Sequence, residues 1–303
     1  MPMKKRLINT LLILGSLALL AACGNKEEAT AEQVDVQIEN LDDLTEDDTV
    51  SAVLQSTEYS EEDTVKVAVC GEPSSTILAR AKESLQRSGY DLKVVSCDDF
   101  NEPNELLLSG EVDATFCEHE GYVTSYNKVN STDLTIVERI YYQPMGIYSG
   151  KCTDLNMLNE GAVIAVPEGE VYLARALYLL EQKGYISINE EHGFQVTKED
   201  ITDNPKGLTI ESVDMGEVDA LTQDYDLVLV DVNRAMAQGI DEDRLLSVEN
   251  RNSKMTEYFA ICVVCRPGEA DSDKLLKLCE ALNSDAVEDY IEKEYAGSVV
   301  DFR

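Results

Sequence analysis

One frame occurs twice in this chain: LARAKESLQRSGY from Leu78 to Tyr90, and LARALYLLEQKGY from Leu173 to Tyr185. The first copy follows VKVAVCGEPSST and precedes DLKVVS; the second follows GAVIAVPEGEVY and precedes ISI. Each therefore reads as strand, loop, helix, glycine stop and a further extended run. Leu78, Ala81 and Leu85 in one helix, and Leu173, Ala176, Leu177 and Leu180 in the other, recur at three and four, which gives each an apolar face for a sheet to cover. Gly89 and Gly184 stop the helices where a left-handed residue is wanted. Two regions that open alike predict two similar lobes, each a mostly parallel sheet flanked by helices. With 303 residues, 44% of them hydrophobic, the chain can bury a core in both.

A second repeated string, GEVDA, occurs at Gly110–Ala114 and at Gly216–Ala220, but only the first copy runs straight into a strand. The better pairing sets Asp113-Ala-Thr-Phe against Asp226-Leu-Val-Leu. Between the lobes, VERIYYQPMGIYSGK is a mostly apolar extended stretch broken by Pro144, suited to crossing over. TEYFAICVVC can bring the chain back, and two helices, Ser272–Leu282 and Asp285–Glu294, then complete lobe one. The expected boundaries are 64–142 plus 257–303 for lobe one and 143–256 for lobe two. Two sheets joined by two strands make a hinged clamp, with its cleft at the carboxyl ends of the strands.

The chain begins MPMKKRLINTLLILGSLALLAACGN, a basic trio before an apolar run too short to span a bilayer comfortably. This is an export signal over residues 1–22, closing on Leu20-Ala21-Ala22-Cys23. That ending resembles the bacterial lipobox, which makes Cys23 the lipidated first residue of the mature chain. From Gly24 to Asp63 there are fourteen acidic residues against Lys26 alone, with no sustained apolar period. Residues 23–63 thus read as a disordered acidic tether. The protein is expected on the cell membrane, anchored by lipid on its extracytoplasmic face.

The net charge of −34 repels a nucleic-acid backbone, so no nucleic acid is expected as a partner. Only two histidines, His119 and His192, are present, which argues against a multi-histidine metal site, and no cofactor is expected. Seven cysteines follow Cys23, an odd number that does not fit a complete disulfide framework. Cys262-Val-Val-Cys265 lies in a strand-like run, where residues three apart face opposite ways, so it reads as buried small apolar residues rather than a metal clip.

Several blocks in one order resemble a known family: KVAVCGEP, PNELLLSGEVDATFCEHEGY, QPMGIYS, VIAVPEGEVYLARALYLL and DNPKGLTI. From Val65 to Arg303 the chain is similar to the methionine-binding lipoproteins of the NlpA type, which serve ABC importers. The resemblance implies a type II periplasmic-binding-protein fold and capture of an amino acid, methionine or a relative or a short peptide, for a permease and its ATPase. It carries three residues onto matching positions: His119 and Tyr122 in the cleft, and Arg175 gripping the ligand carboxylate. A guanidinium about two turns beyond a strand end suits a planar carboxylate held at two points. Two departures bear on the ligand. Cys117 stands where the family has an aromatic residue, and Asp231 stands where it has asparagine, so Asp231 is expected to hold an ammonium group. Phe116 and Tyr172 are candidate aromatic walls. A Cys117–His119 pair on one strand face is the sole nucleophilic arrangement to weigh, and a binding protein rather than an enzyme is expected. A surface lipoprotein with an adhesion or signalling role is the alternative.

Overall fold

A computed structural model describes residues 59–303; the predicted signal peptide, Cys23 and the tether as far as residue 58 lie outside the described residues. One sheet contains β1 (Thr64–Val69), β2 (Asp91–Ser96), β3 (Ala114–His119), β4 (Thr135–Tyr142), β12 (Ile261–Cys265) and β13 (Val300–Asp301), in the order β13-β4-β12-β3-β1-β2. The other contains β5 (Met145–Ser149), β6 (Val163–Pro167), β9 (Thr209–Val213), β10 (Leu227–Asp231) and β11 (Leu245–Val248), in the order β11-β5-β10-β6-β9. A small pair, β7 (Ser187–Ile188) and β8 (Ile201–Asp203), stands apart.

The repeat extends well beyond the LARA helices. Reading β2-β1-β3-β12-β4 against β9-β6-β10-β5-β11 superimposes the two strand orders. Helix α1 (Ser74–Arg87) then matches α4 (Glu170–Gln182). Likewise α2 (Glu102–Ser109) matches α5 (Val218–Asp224), and α3 (Glu120–Asn130) matches α6 (Val232–Ala237). Asp113 and Asp226 do the same job: the carboxylate of each accepts from a backbone N–H of the neighbouring strand, Lys66 or Val163, at 2.8 Å. The pairing of these two aspartates, rather than of the GEVDA strings, is the one the fold uses.

Most strands of each sheet point the same way, as expected from sequence, and the sheets are mixed because the crossing strands β12 and β5 run against their neighbours. β1 runs parallel to β2 and β3, and β6 parallel to β9 and β10, but β12 opposes β3 and β4, and β5 opposes β10 and β11. The cause is the double crossing. A strand that carries the chain out of a sheet and one that carries it back through the same edge must point in opposite directions. The outward crossing is Gln143-Pro144, between β4 and β5. The return lies between β11 and β12 and contains α7 (Lys254–Tyr258).

Apolar alternation places each strand between two cores. In the first sheet Val65, Val67 and Val69 face α1 and the terminal helices α8 (Asp273–Leu282) and α9 (Asp285–Tyr295), while Ala68, Cys262 and Val264 face the other way. Cys262 and Cys265 accordingly fall in different cores, as the strand period requires. Phe116 lies in the first core with none of its surface exposed, its ring edge-on to Tyr141 at 5.7 Å. It is a packing residue and not a wall of the cleft, which corrects the expectation above; its position one register step inside the strand turns it under α1. Replacing Phe116 with alanine removes a fully buried ring and should destabilise the fold by about 3–5 kcal/mol. Urea denaturation followed by circular dichroism measures this, and a loss below about 1 kcal/mol would contradict the placement.

Candidate functional site

Arg175 sits in the second turn of α4, and only 3% of it is exposed. Every residue from Ala174 to Leu180 is buried, because the helix is covered by its own sheet on one side and by the return crossing and the 190–195 turn on the other. The side chain can remain there only because its donors are taken. Nε donates to Oε1 of Glu249 at 2.9 Å and Nη2 to Oε2 at 2.6 Å, a two-point contact. Nη2 also donates to the Gln143 carbonyl at 2.7 Å, and Nη1 to Oδ1 of Asp231 at 3.0 Å. Its guanidinium carbon lies 4.3 Å from the centre of the Phe259 ring. Burial works against the charge of Arg175, and the adjoining Glu249 and Asp231 carboxylates outweigh it.

Among the described residues, partners therefore engage four of the five guanidinium N–H groups and leave one on Nη1. Glu249, Gln143 and Phe259 were not singled out from the sequence. Glu249 ends the run that leaves lobe two, and nothing in its neighbourhood marks it as the counter-ion of a residue 74 positions earlier. Its Oε2 accepts a second bond, from Met145 N–H at 3.0 Å, so the carboxylate clasps the start of β5 as well.

Asp231 and His119 occupy equivalent places in the two halves. Each ends a central strand and begins a helix, and each stands opposite the first residue of the next strand, Met145 or Ile261. Nδ1 of His119 accepts from Tyr122 N–H at 3.2 Å, capping α3. The His119 ring lies 4.8 Å from Phe259, and Phe259 lies 6.3 Å from Tyr172, so the three rings form a wall beside Arg175. Tyr172 is 39% exposed and faces a cavity of about 220 Å³. This cavity lies at the carboxyl ends of β6, β9 and β10, where Pro167, Val213 and Asp231 line it together with Glu168, Asp214 and Arg234. Burial raises the Asp231 carboxyl above the usual carboxylate range, with Arg175 pulling the other way.

The remaining candidates lie elsewhere. Tyr122 donates its hydroxyl towards the Phe100 carbonyl at 3.1 Å and Oδ1 of Asn101 at 3.0 Å, so it braces the loop after β2. Cys117 is buried, next to the Cys70 backbone. Burial pushes its thiol well up and pushes His119 down to about 4. A thiolate–imidazolium nucleophile needs the reverse of both shifts. Between them on the strand, the buried carboxyl of Glu118 faces the buried amide of Asn104; burial pushes it up to about 7, with Asn104 pulling the other way. Among the described residues no group of three or more His, Cys, Asp or Glu side chains is placed to hold a metal ion.

A pair of similar α/β lobes, crossed twice by the chain, with a charged cleft at the strand ends, defines a two-lobed solute-binding protein of the periplasmic type. The sequence pattern of the NlpA lipoprotein family matches residues 65–302, and the chain belongs to that family. It is 33% identical to the methionine-binding lipoprotein MetQ of Bacillus subtilis over 242 residues, 78% of this chain and 87% of that one. A YaeC-family lipoprotein from Enterococcus faecalis has the same fold, with a TM-score of 0.71, 30% identity and coverage of 79% of this chain and 99% of the other. A nutrient binding protein from Burkholderia cenocepacia, solved bound to methionine, aligns with a TM-score of 0.65 and 28% identity over 78% of this chain and 99% of that one.

Two measurements probe these placements. Glu249→Ala leaves the Arg175 guanidinium buried without its main counter-charge and should cost about 3–5 kcal/mol in urea unfolding; an unchanged midpoint would contradict the pairing. Glu118 has a folded pKa raised above its unfolded value, so its contribution is complete below about pH 4.5 and lost as pH rises towards 7. Glu118→Gln should therefore gain roughly 3 kcal/mol on wild type between pH 4.5 and pH 8. Equal differences in melting temperature at the two pH values would contradict this.

Proposed function

We propose that this chain is the lipid-anchored, extracytoplasmic receptor of an ABC importer. It captures an amino acid, methionine or a related amino acid or short peptide, and delivers it to a membrane permease driven by its ATPase. The observation that carries the reading is the pairing of buried Arg175 with the partly exposed Asp231 at the carboxyl ends of the lobe-two strands, with His119 at the matching place in the other half. An arriving ammonium group draws the Asp231 carboxylate to itself. The released Nη1 edge of Arg175 then accommodates the ligand carboxylate, while Glu249 keeps the guanidinium in place.

The acidic lining of the cavity, Glu168, Asp214 and Asp231 against Arg234, favours the ammonium end of a zwitterion. Tyr172, partly exposed at the cavity and backed by Phe259, offers aromatic surface for the side chain. Membership of a lipoprotein family supports the anchor at Cys23, and the opposite shifts of Cys117 and His119 support binding rather than catalysis.

Saturation with the right amino acid, at a hundredfold excess over its dissociation constant, should stabilise the protein by about 2.7 kcal/mol and raise its melting temperature by roughly 5–10 °C. Asp231→Ala should weaken calorimetric binding by at least about thirtyfold. Failure of every amino acid and short peptide to shift the melting temperature would overturn the reading. Unaltered affinity in the variant would remove Asp231 from the site.

A further inference from the structure

Three cysteines stand in a row across the first sheet, just where its parallel strands end. The register of β1 on β2 runs to Val69 opposite Ser96, and the next backbone bond, Cys97 N–H to the Val69 carbonyl at 2.8 Å, continues it, so Cys70 stands beside Cys97. On its other side, the Cys70 N–H faces the Cys117 sulfur. Residues in register on adjacent parallel strands share a face, and Cys97 lies on the face of Ala68 and Val112, under α2. Neighbouring strands lie about 4.8 Å apart, inside the span of roughly 4.4–6.8 Å that a disulfide bridges between Cα atoms; Cys97 and Cys117, two strands apart, stand at roughly 9.5 Å and are out of reach.

Access distinguishes this row from the other thiols. Of the seven free cysteines among the described residues, only Cys70 is not buried. Cys265 and Cys279 lie close to each other but inside the first core, closed to a reagent from solution.

We infer that Cys70 is the centre of an oxidisable thiol site, which a small disulfide converts to a single intramolecular Cys70–Cys97 bridge. The Cys70 thiol loses its proton to solvent and attacks one sulfur of the small disulfide; that S–S bond breaks, and one small thiolate leaves. The Cys97 thiol loses its proton and attacks the Cys70 sulfur of the mixed disulfide, expelling the second thiolate. Two protein thiols are oxidised by two electrons, and the small disulfide is reduced to two thiols. Cys97 is chosen over Cys117 because it opens the loop of residues 97–101, outside regular structure, whereas Cys117 is fixed within β3. The same loop carries Phe100 and Asn101, which hold the Tyr122 hydroxyl, so the bridge fastens this part of the lobe-one rim to the end of β1.

Carboxylates of Asp98, Asp99 and Glu102 surround Cys70 and Cys97, and burial holds the Cys97 thiol up at about 11, so exchange is slow at neutral pH. The experiment incubates the folded protein with oxidised glutathione at pH 8.5, blocks remaining thiols and maps peptides without reduction. The expected result is loss of two thiols and one linked pair, Cys70 with Cys97. Cys70→Ser should abolish the internal bridge, Cys97→Ser should divert it to Cys70–Cys117, and Cys117→Ser should leave it unchanged. Retention of all seven thiols from Cys70 to Cys279 in the wild type, an intact bridge in Cys70→Ser, or a Cys97–Cys117 pair would each overturn the inference. Circular dichroism of each variant verifies that it is folded before oxidation.

Discussion

The pairing of the Arg175 guanidinium with the Glu249 carboxylate ties helix α4 to the two crossings of the chain, to which no regular hydrogen-bond ladder connects it. Arg175 belongs to α4; Glu249 begins the return crossing; Gln143, whose carbonyl takes a further N–H, is the outward crossing. Glu249 in turn holds the first N–H of β5. A charge moved into a medium of low polarity costs several kcal/mol unless it is matched, so each of the two residues requires the other. The pair thereby fixes both crossings against lobe two, and it holds the guanidinium ready at the place where the strands of that lobe end.

This changes the role that an arginine on such a helix would otherwise have. With two carboxylates and a carbonyl already upon it, Arg175 is a positioned anchor with one uncommitted N–H, and not an open fork awaiting a ligand. Asp231 is its adjustable partner, since that carboxylate is partly exposed to the cavity while Glu249 is not. In the proposed function, selectivity rests on the exchange of Asp231 between guanidinium and ammonium, and on the fit of the ligand side chain against Tyr172. The two halves contribute unequally to it: the pseudo-equivalent of Asp231 is His119, kept neutral by burial and by the nearby Arg175 charge.

Much of the architecture was legible from local pattern. The doubled strand–helix–strand opening, the pairing of Asp113 with Asp226 and the two terminal helices follow from apolar spacing and turn residues, which act over a few positions. The orientation of the crossing strands was not legible, because it depends on where in the sheet the chain leaves and returns. At the site, Arg175, Asp231, His119 and Tyr172 are brought to the same region. Phe116 goes to the core and Tyr122 to the rim. Glu249 and Phe259 escaped notice because their importance comes from contacts across many intervening residues, and an acidic residue after a strand or an aromatic in an apolar run carries no local mark of it.

The LARA repeat shows where sequence stops. Arg80 and Arg175 hold the same place in the same frame, yet Arg80 lies on the surface, where it reaches the Ala286 carbonyl, while Arg175 is enclosed. By itself the sequence determined that each helix turns an apolar face to a sheet, because that face repeats with the helical period. Only the tertiary structure decided what lies over the opposite face. Above Arg80 there is solvent and the edge of α9; above Arg175 the return crossing passes, bringing Glu249 and Phe259. The physical difference is long-range: a guanidinium is buried where the fold supplies a counter-charge, and the residue that supplies it is set by the path of the chain rather than by its neighbours in sequence.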